Sequence, residues 1–292
     1  MAPVWAVDAA SDGTSEGPDD GGRETSVLRG SGFTLVSTGI SGARGMDSTQ
    51  LRTQTARAYE TIFDFIGTRH LVRVWNFIPE LLNPVGDISQ RYLVFNAGRH
   101  DAFSRHWPHP GDLAASVPTA SGVGTPGDDL KIFALASDRP GKALGNPRQV
   151  DSFRYSKQYG DPPPCFARAT VIRRPDGGKR LLVGGTASVR GESTVFQENL
   201  EYQVSETFKN LAALVAVGLD SPYLDIEDPA KQADFLARFH HVRTYYTLPE
   251  NRDTIASSAA KAFPNADPLE LTQAELCREG LLVEIEGWAD LS

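Results

Sequence analysis

Apolar and polar positions along the chain fall into two similar series of segments. Residues 33–40 form an apolar run of strand length. Residues 48–66 then place Leu51, Ala56, Tyr59, Ile62, Phe63, Phe65 and Ile66 at helical spacing, which predicts a strand followed by a helix. A second strand is predicted at 71–78, closed by Pro79, and a second amphipathic helix at 89–103. The series then recurs: strands at 167–173 and 180–188, a helix over about 195–217, a strand at 241–248 and a helix at 251–263. The copies share wording as well as rhythm. LVRVWNFIPE at 71–80 matches HVRTYYTLPE at 241–250, and each copy closes on Ala-Phe, at Ala102-Phe103 and Ala262-Phe263. A strand–helix–strand–helix unit used twice predicts two halves that pack on one another.

Between these segments the pattern is less regular. Residues 9–24 are rich in Asp, Gly, Ser and Glu with no apolar period, and predict a flexible acidic segment. Residues 107–127 are loop-like, with a short strand at 119–123, and 130–136 is a clearer strand. Residues 138–168 make the longest irregular stretch. Segments of this kind in compact proteins are usually functional or disordered, and this one carries Arg154, Tyr155, Tyr159, Phe166 and Arg168, side chains suited to contact. Residues 220–238 read as an inserted helical loop, and LLVEIEGWA at 281–289 as the final strand.

Composition narrows the function classes. A net charge of −8 disfavours a nucleic-acid partner. No apolar run approaches the ~20 residues that span a bilayer, and the N-terminus lacks the pattern of a signal peptide, so no membrane association and a cytoplasmic location are expected. The two cysteines, Cys165 and Cys277, are far apart, and the six histidines are scattered without ligand spacing, so neither a disulfide framework nor a metal site is expected. Dinucleotide, phosphate-loop, zinc-protease and serine-hydrolase motifs are missing, and no cofactor is expected.

Candidate chemistry concentrates at the end of the chain. Glu284 and Glu286 lie two apart in an apolar strand and share one face, opposite Val283 and Ile285. If that face is covered, desolvation raises the pKa of at least one carboxyl and makes it a proton donor near neutral pH. The same pattern also suits an edge strand with both carboxylates in solvent. Arg91 and Arg99, eight apart on one helix, and Arg168, after the Tyr155/Tyr159 loop, are the residue types that bind carboxylates in a bidentate fork, although helix arginines are more often solvated or ion-paired. By pattern alone Cys277 is an ordinary buried thiol.

Several blocks carry a family resemblance: VRVWNFIPE (72–80), RYLVFNAGR (91–99), PTASGVG (118–124), NPRQVDSFRYSKQYG (146–160), CFARAT (165–170), GGTASVRGE (184–192) and LLVEIEG (281–287). The C-terminal half resembles the RidA/YjgF family, and the whole pattern resembles the chorismatases. The resemblance implies an α+β fold of two RidA-like or chorismate-mutase-like lobes, with mixed β-sheets and helices packed on one face. The expected division is an N-terminal segment 1–32, a first lobe 33–145 and a catalytic lobe 146–292. It implies cleavage of chorismate to pyruvate, with Glu284 as the acid that protonates the enol ether and Glu286 as the fallback. Arg91, Arg99 and Arg168, with Tyr92 and Tyr155, are the implied substrate anchors, and Gly185 is expected to let the strand backbone approach the substrate. Cys277, shortly before the glutamate strand as in the aromatising chorismatases, points to 3-hydroxybenzoate over the dihydroxycyclohexadiene carboxylate. Pro268-Leu269 stand where RidA proteins carry a carboxylate-binding arginine, which weighs against an imine deaminase or simple ligand-binding protein. The role of Arg190 in GGTASVRGE is open, and both a monomer and a homotrimer fit the resemblance.

Overall fold

The computed structural model describes residues 25–30, 32–86, 89–174 and 176–292; the acidic stretch 9–24 lies outside them. The first half runs β1 (Ser26–Gly30), β2 (Phe33–Ile40), α1 (Ser48–Ile66), β3 (His70–Pro79), the two-residue β4 (Pro84–Val85) and β5 (Ser89–Gln90), α2 (Arg91–His106), α3 (Pro110–Ser116), β6 (Thr119–Thr125) and β7 (Leu130–Ser137). The second runs β8 (Lys142–Leu144), β9 (Ala169–Arg173), β10 (Lys179–Ala187), β11 (Val189–Arg190), β12 (Ser193–Thr194), α4 (Leu200–Gly218), α5 (Pro229–Leu236), β13 (Phe239–Tyr246), α6 (Arg252–Ala262), β14 (Leu269–Gln273) and β15 (Val283–Asp290).

The repeated wording is realised as repeated topology. The first sheet is ordered β1-β2-β7-β3-β6 and the second β9-β10-β15-β13-β14, with β8 added beside β9. In both, the strand bearing the VR motif pairs in parallel with one neighbour (β3 with β6, β13 with β14) and antiparallel with the last strand of its half (β7 or β15). This is the α+β arrangement of two mixed sheets expected from the sequence. Three features differ from the pattern reading. Part of 107–127 forms α3. β1 and β8 fall outside the lobe limits taken from the sequence, and β14 carried no recognisable strand signal. All three of these strands lie at or beside a sheet edge, where backbone ladders to a neighbour hold them without an alternating pattern of their own.

Local chemistry accounts for the main elements. The α1 helix opens on Asp47, whose carboxylate accepts from the Gln50 amide while the Gln50 side chain accepts from Asp47 N–H, a reciprocal cap. It buries Leu51, Tyr59, Ile62 and Ile66 at helical spacing against the first sheet. Along β3 the side chains alternate. Val74 and Ile78 join the helix-side core, whereas Trp75 and Phe77 face the second sheet. Leu35, Trp75 and Leu135 there meet Ile172 and Leu182, so the sheets pack face to face with a helix layer outside each. Strands covered on both faces read as nearly continuous apolar runs, as β3 and β7 do.

A buried ion pair crosses this contact. Arg73 of β3 places Nη2 2.7 Å from Glu286 Oε2 of β15, with both side chains at most 2% exposed. Deleting one partner of a buried pair strands the other in a poor solvent. Arg73→Met is therefore expected to destabilise the chain by about 3–5 kcal/mol, and adding Glu286→Gln should restore part of that loss. Chemical denaturation of the single and double variants checks this.

Candidate active site

Many polar side chains line a cleft of about 470 Å³ between the N-terminal end of α2, the 149–168 loop, the β11–β12 hairpin and the approach to β15. Glu284 stands on its wall, 4% exposed, with no hydrogen bond to its carboxyl among the described residues. Burial, with the neighbouring Glu286 charge second, pushes its pKa up to about 8, against the opposing influence of Arg73, Arg168 and Arg278. Glu284 is thus a carboxylic acid at neutral pH, facing the cleft.

Glu286, on the same strand face, lives under different conditions. Its Oε2 accepts from Arg73 and from the Ser121 hydroxyl, and its Oε1 from Trp75 Nε1 and Tyr245 OH, both at 3.1 Å. Four donors thus converge on the Glu286 carboxyl, and none on that of Glu284 among the described residues. The two glutamates, equivalent by pattern, are therefore separated by what the first sheet presents to each.

A β-bulge shapes the wall opposite. The β10–β15 register jumps between Val183 and Thr186, leaving Gly184 and Gly185 as the irregular residues. A Cβ on Gly184 would come 2.6 Å from the Ala120 carbonyl oxygen, so this glycine admits the first lobe's backbone. A Cβ on Gly185 would overlap the Glu284 carboxyl. Gly185 lines the cleft, but the atom it makes room for is a glutamate oxygen, and its amide is occupied by Ser121 Oγ at 2.8 Å.

The remaining residues singled out from the sequence separate into two groups. Tyr92, Tyr155, Arg168 and Cys277 all line the cleft. Arg168 donates to the Val150 carbonyl at 2.8 Å and to Tyr155 OH, and its buried Nε has no hydrogen-bond partner among the described residues. Burial, reinforced by Glu284, pushes the Cys277 thiol up to about 12, so it is neutral. Burial likewise raises Tyr92, which packs beside Gly122 of β6.

Arg91 and Arg99 are not in the cleft. Arg91 donates to the Ala43 and Arg44 carbonyls at 2.7 and 2.8 Å, bracing the turn before α1. Arg99 donates to Asn96 Oδ1 at 2.9 Å and lies over the Phe95 ring. Both are buried within the first lobe, and Tyr92 and Leu93, about 100° and 200° further round the helix than Arg91, line the cleft instead. Two same-face arginines read as anchors are thus internal braces.

The second cleft cation is one the pattern did not single out. Arg278 packs 4.0 Å from the Tyr159 ring centroid and 5.0 Å from that of Tyr155, and donates to the Glu192 carbonyl at 2.5 Å. Its position next to Cys277 was the available signal. Gln149, Gln158, Gln197 and Glu279 also line the cleft. Glu192 ties the loop to the hairpin by accepting from Ser156 N–H at 2.8 Å and from its hydroxyl at 2.7 Å. Arg190 pairs with the buried Glu206, which also holds Arg148. Its role is to brace the hairpin on α4.

A buried carboxyl lining one cleft with two guanidiniums and several amides is able to do acid–base chemistry on a small anion. Comparison with known proteins agrees in family. The model for the N-terminal part of FkbO/Hyg5-like chorismatases matches residues 23–136. A 3-hydroxybenzoate synthase of Streptomyces hygroscopicus is 31% identical over 241 residues, covering 80% of this chain and 68% of the relative. A chorismatase of Streptomyces rapamycinicus is 30% identical over 246 residues, covering 80% and 69%. A chorismatase crystal structure superposes with a TM-score of 0.77 at 24% identity, over 95% of this chain and 80% of that one, which shows the fold. The chain belongs to the chorismatase family of enzymes.

The raised Glu284 pKa has a consequence for stability that needs no substrate. Between its ordinary value of 4.5 and about 8 the folded chain binds the proton that the unfolded chain has released. Stability from this group is complete below pH 4.5 and is lost as pH rises through 8, at no more than about 1.4 kcal/mol per pH unit. Glu284→Gln should remove the decline, so the stability of the variant relative to wild type rises across this window and levels off above it. Urea unfolding at a series of pH values measures the difference.

Proposed function

We propose that the protein cleaves chorismate, releasing pyruvate and forming 3-hydroxybenzoate, with Glu284 as general acid. The observation that carries the reading is the protonated Glu284 carboxyl, without a hydrogen bond among the described residues, facing a cleft that holds Arg168 and Arg278. Chorismate is a dianion with an enol-ether side chain. Arg168, with an unused Nε, and Arg278 are the cationic anchors for its two carboxylates, and Tyr92, Tyr155 and Tyr159 supply ring surfaces beside them.

The enol-ether π electrons form a C–H bond with the Glu284 proton at the methylene carbon, leaving an oxocarbenium ion at the carbon bearing the ether oxygen. Water adds there and the hemiketal collapses, breaking its bond to the ring oxygen and giving pyruvate plus a ring diol. If the ring then loses water it aromatises to 3-hydroxybenzoate, so the overall conversion consumes no water, whereas stopping at the diol consumes one. The Arg73–Glu286 pair stays outside the proton transfer. In this reading Cys277, a neutral thiol on the cleft wall, acts on the fate of the ring, by moving a proton or by limiting water access.

Incubation with chorismate and assay of pyruvate tests the activity, and no release would sink it. Glu284→Gln keeps the shape without the acidic proton and should lower turnover by roughly a hundred- to ten-thousandfold while chorismate still binds. Cys277→Ala should leave pyruvate release measurable and move product from 3-hydroxybenzoate toward the diol, as read by chromatography at matched conversion. An unchanged product ratio would assign Cys277 to packing alone.

A further inference from the structure

We propose that Glu286 is a positioning residue for this reaction: its negative charge, held in place by the first lobe, adds to burial in keeping the neighbouring Glu284 carboxyl protonated. The proposal rests on the reading of Glu284 as the acid and goes beyond it, since Glu286 touches neither the cleft nor the ligand.

Two adjacent carboxyls on one strand face cannot both ionise cheaply where water is scarce, and the donors around them decide which keeps the proton. Here the division is one-sided. Glu286 accepts from Arg73 at 2.7 Å, from Trp75 and Tyr245 at 3.1 Å each, and from Ser121, with Arg243 at 3.9 Å. Glu284 accepts from none of the described residues. Ser121 couples the two positions, since the hydroxyl that donates to Glu286 also accepts from Gly185 N–H, and Gly185 forms the wall against which the Glu284 carboxyl sits. The charged and titratable groups around Glu284 include Arg73 from β3, Tyr245 from β13, Arg168 before β9, Cys277 and Arg278 before β15, Tyr92 from α2 and Glu286 itself. A bound dianion offsets Arg168 and Arg278, leaving Arg73 and Glu286 as the charges behind the acid.

The internal repeat argues that the fold does not require this pair of carboxylates. Arg73 is in register with Leu135 and Trp75 with Phe133 in the first sheet, as Arg243 is with Glu286 and Tyr245 with Glu284 in the second. The first lobe builds the same strand pairing with Phe133 and Leu135 at the matching positions. Its share of the site is instead to send Arg73, Trp75 and Ser121 across to Glu286.

Glu286→Gln in the full chain tests this by two readouts. One is the pH dependence of kcat/KM for pyruvate release. The other is the pH dependence of the stability change caused by Glu284→Gln, measured with and without Glu286→Gln. Both the alkaline limb and the stability step are expected to move down by about one to two pH units, roughly a ten- to hundredfold loss of activity at alkaline pH. Should the single variant fail to fold, Arg73→Met/Glu286→Gln removes both charges. Limb and step then move in the same direction by less, because Arg73 had opposed Glu286. A limb and a step that stay at the wild-type pH, with only thermal stability reduced, overturn the proposal and make Glu286 a structural ion-pair partner. The stability step requires no turnover, so an enzyme that releases no pyruvate would refute the chorismate reading and still leave the Glu286 proposal open to measurement.

Discussion

A carboxylate between two β-sheets stays charged only if donors replace the water it has lost. Glu286 meets that condition where the two halves of the chain meet. Arg73, Trp75 and Ser121 come from the first lobe and reach it only because the sheets pack face to face in the observed register, while Tyr245 comes from the neighbouring strand of the same sheet. The Arg73–Glu286 contact therefore fixes more than a local pair. It sets how β15 lies against β3 and β6, and hence where Glu284, one turn of the pleat away, enters the cleft.

The two lobes share a topology and divide the work. Each sheet carries a VR strand between a parallel and an antiparallel neighbour. In the second lobe Arg243 turns to Glu270 on the adjacent strand at 2.6 Å, whereas in the first Arg73 reaches out of its own lobe. The last strand bears two carboxylates in one lobe and Phe133 and Leu135 in the other. Duplication supplies two covered sheet faces, and the differences between the copies supply one acid, one fixed charge and the glycine bulge that accommodates the acid.

The cleft follows from this arrangement. Its floor is the junction of β10 and β15, one side is the start of α2, and the remainder is loop and hairpin stitched together by Glu192 and braced on α4 through Arg190 and Glu206. A carboxyl kept protonated chiefly by burial stands on its wall, and two arginines line the same cleft.

Much of this was written locally. The helical spacing of Leu51, Tyr59 and Ile62, the VR strands and the alternation of VEIEG determined the type of each main element and the duplication, because side-chain period depends on local backbone geometry alone. The same alternation put Glu284 and Glu286 on one face. It could not say whether that face was covered, nor which glutamate would receive donors, since those donors lie more than 160 residues away at Arg73, Trp75 and Ser121. For the same reason Arg91 and Arg99 looked like anchors. Helical spacing shows that two residues share a face, and only packing shows that this face points into the first lobe's core. Arg278 was passed over because a lone arginine in a short irregular segment has no period to mark it. Sequence thus determined which side chains travel together along each element, and the tertiary structure decided which of them meet, because burial, charge pairing and pKa depend on neighbours that only folding supplies.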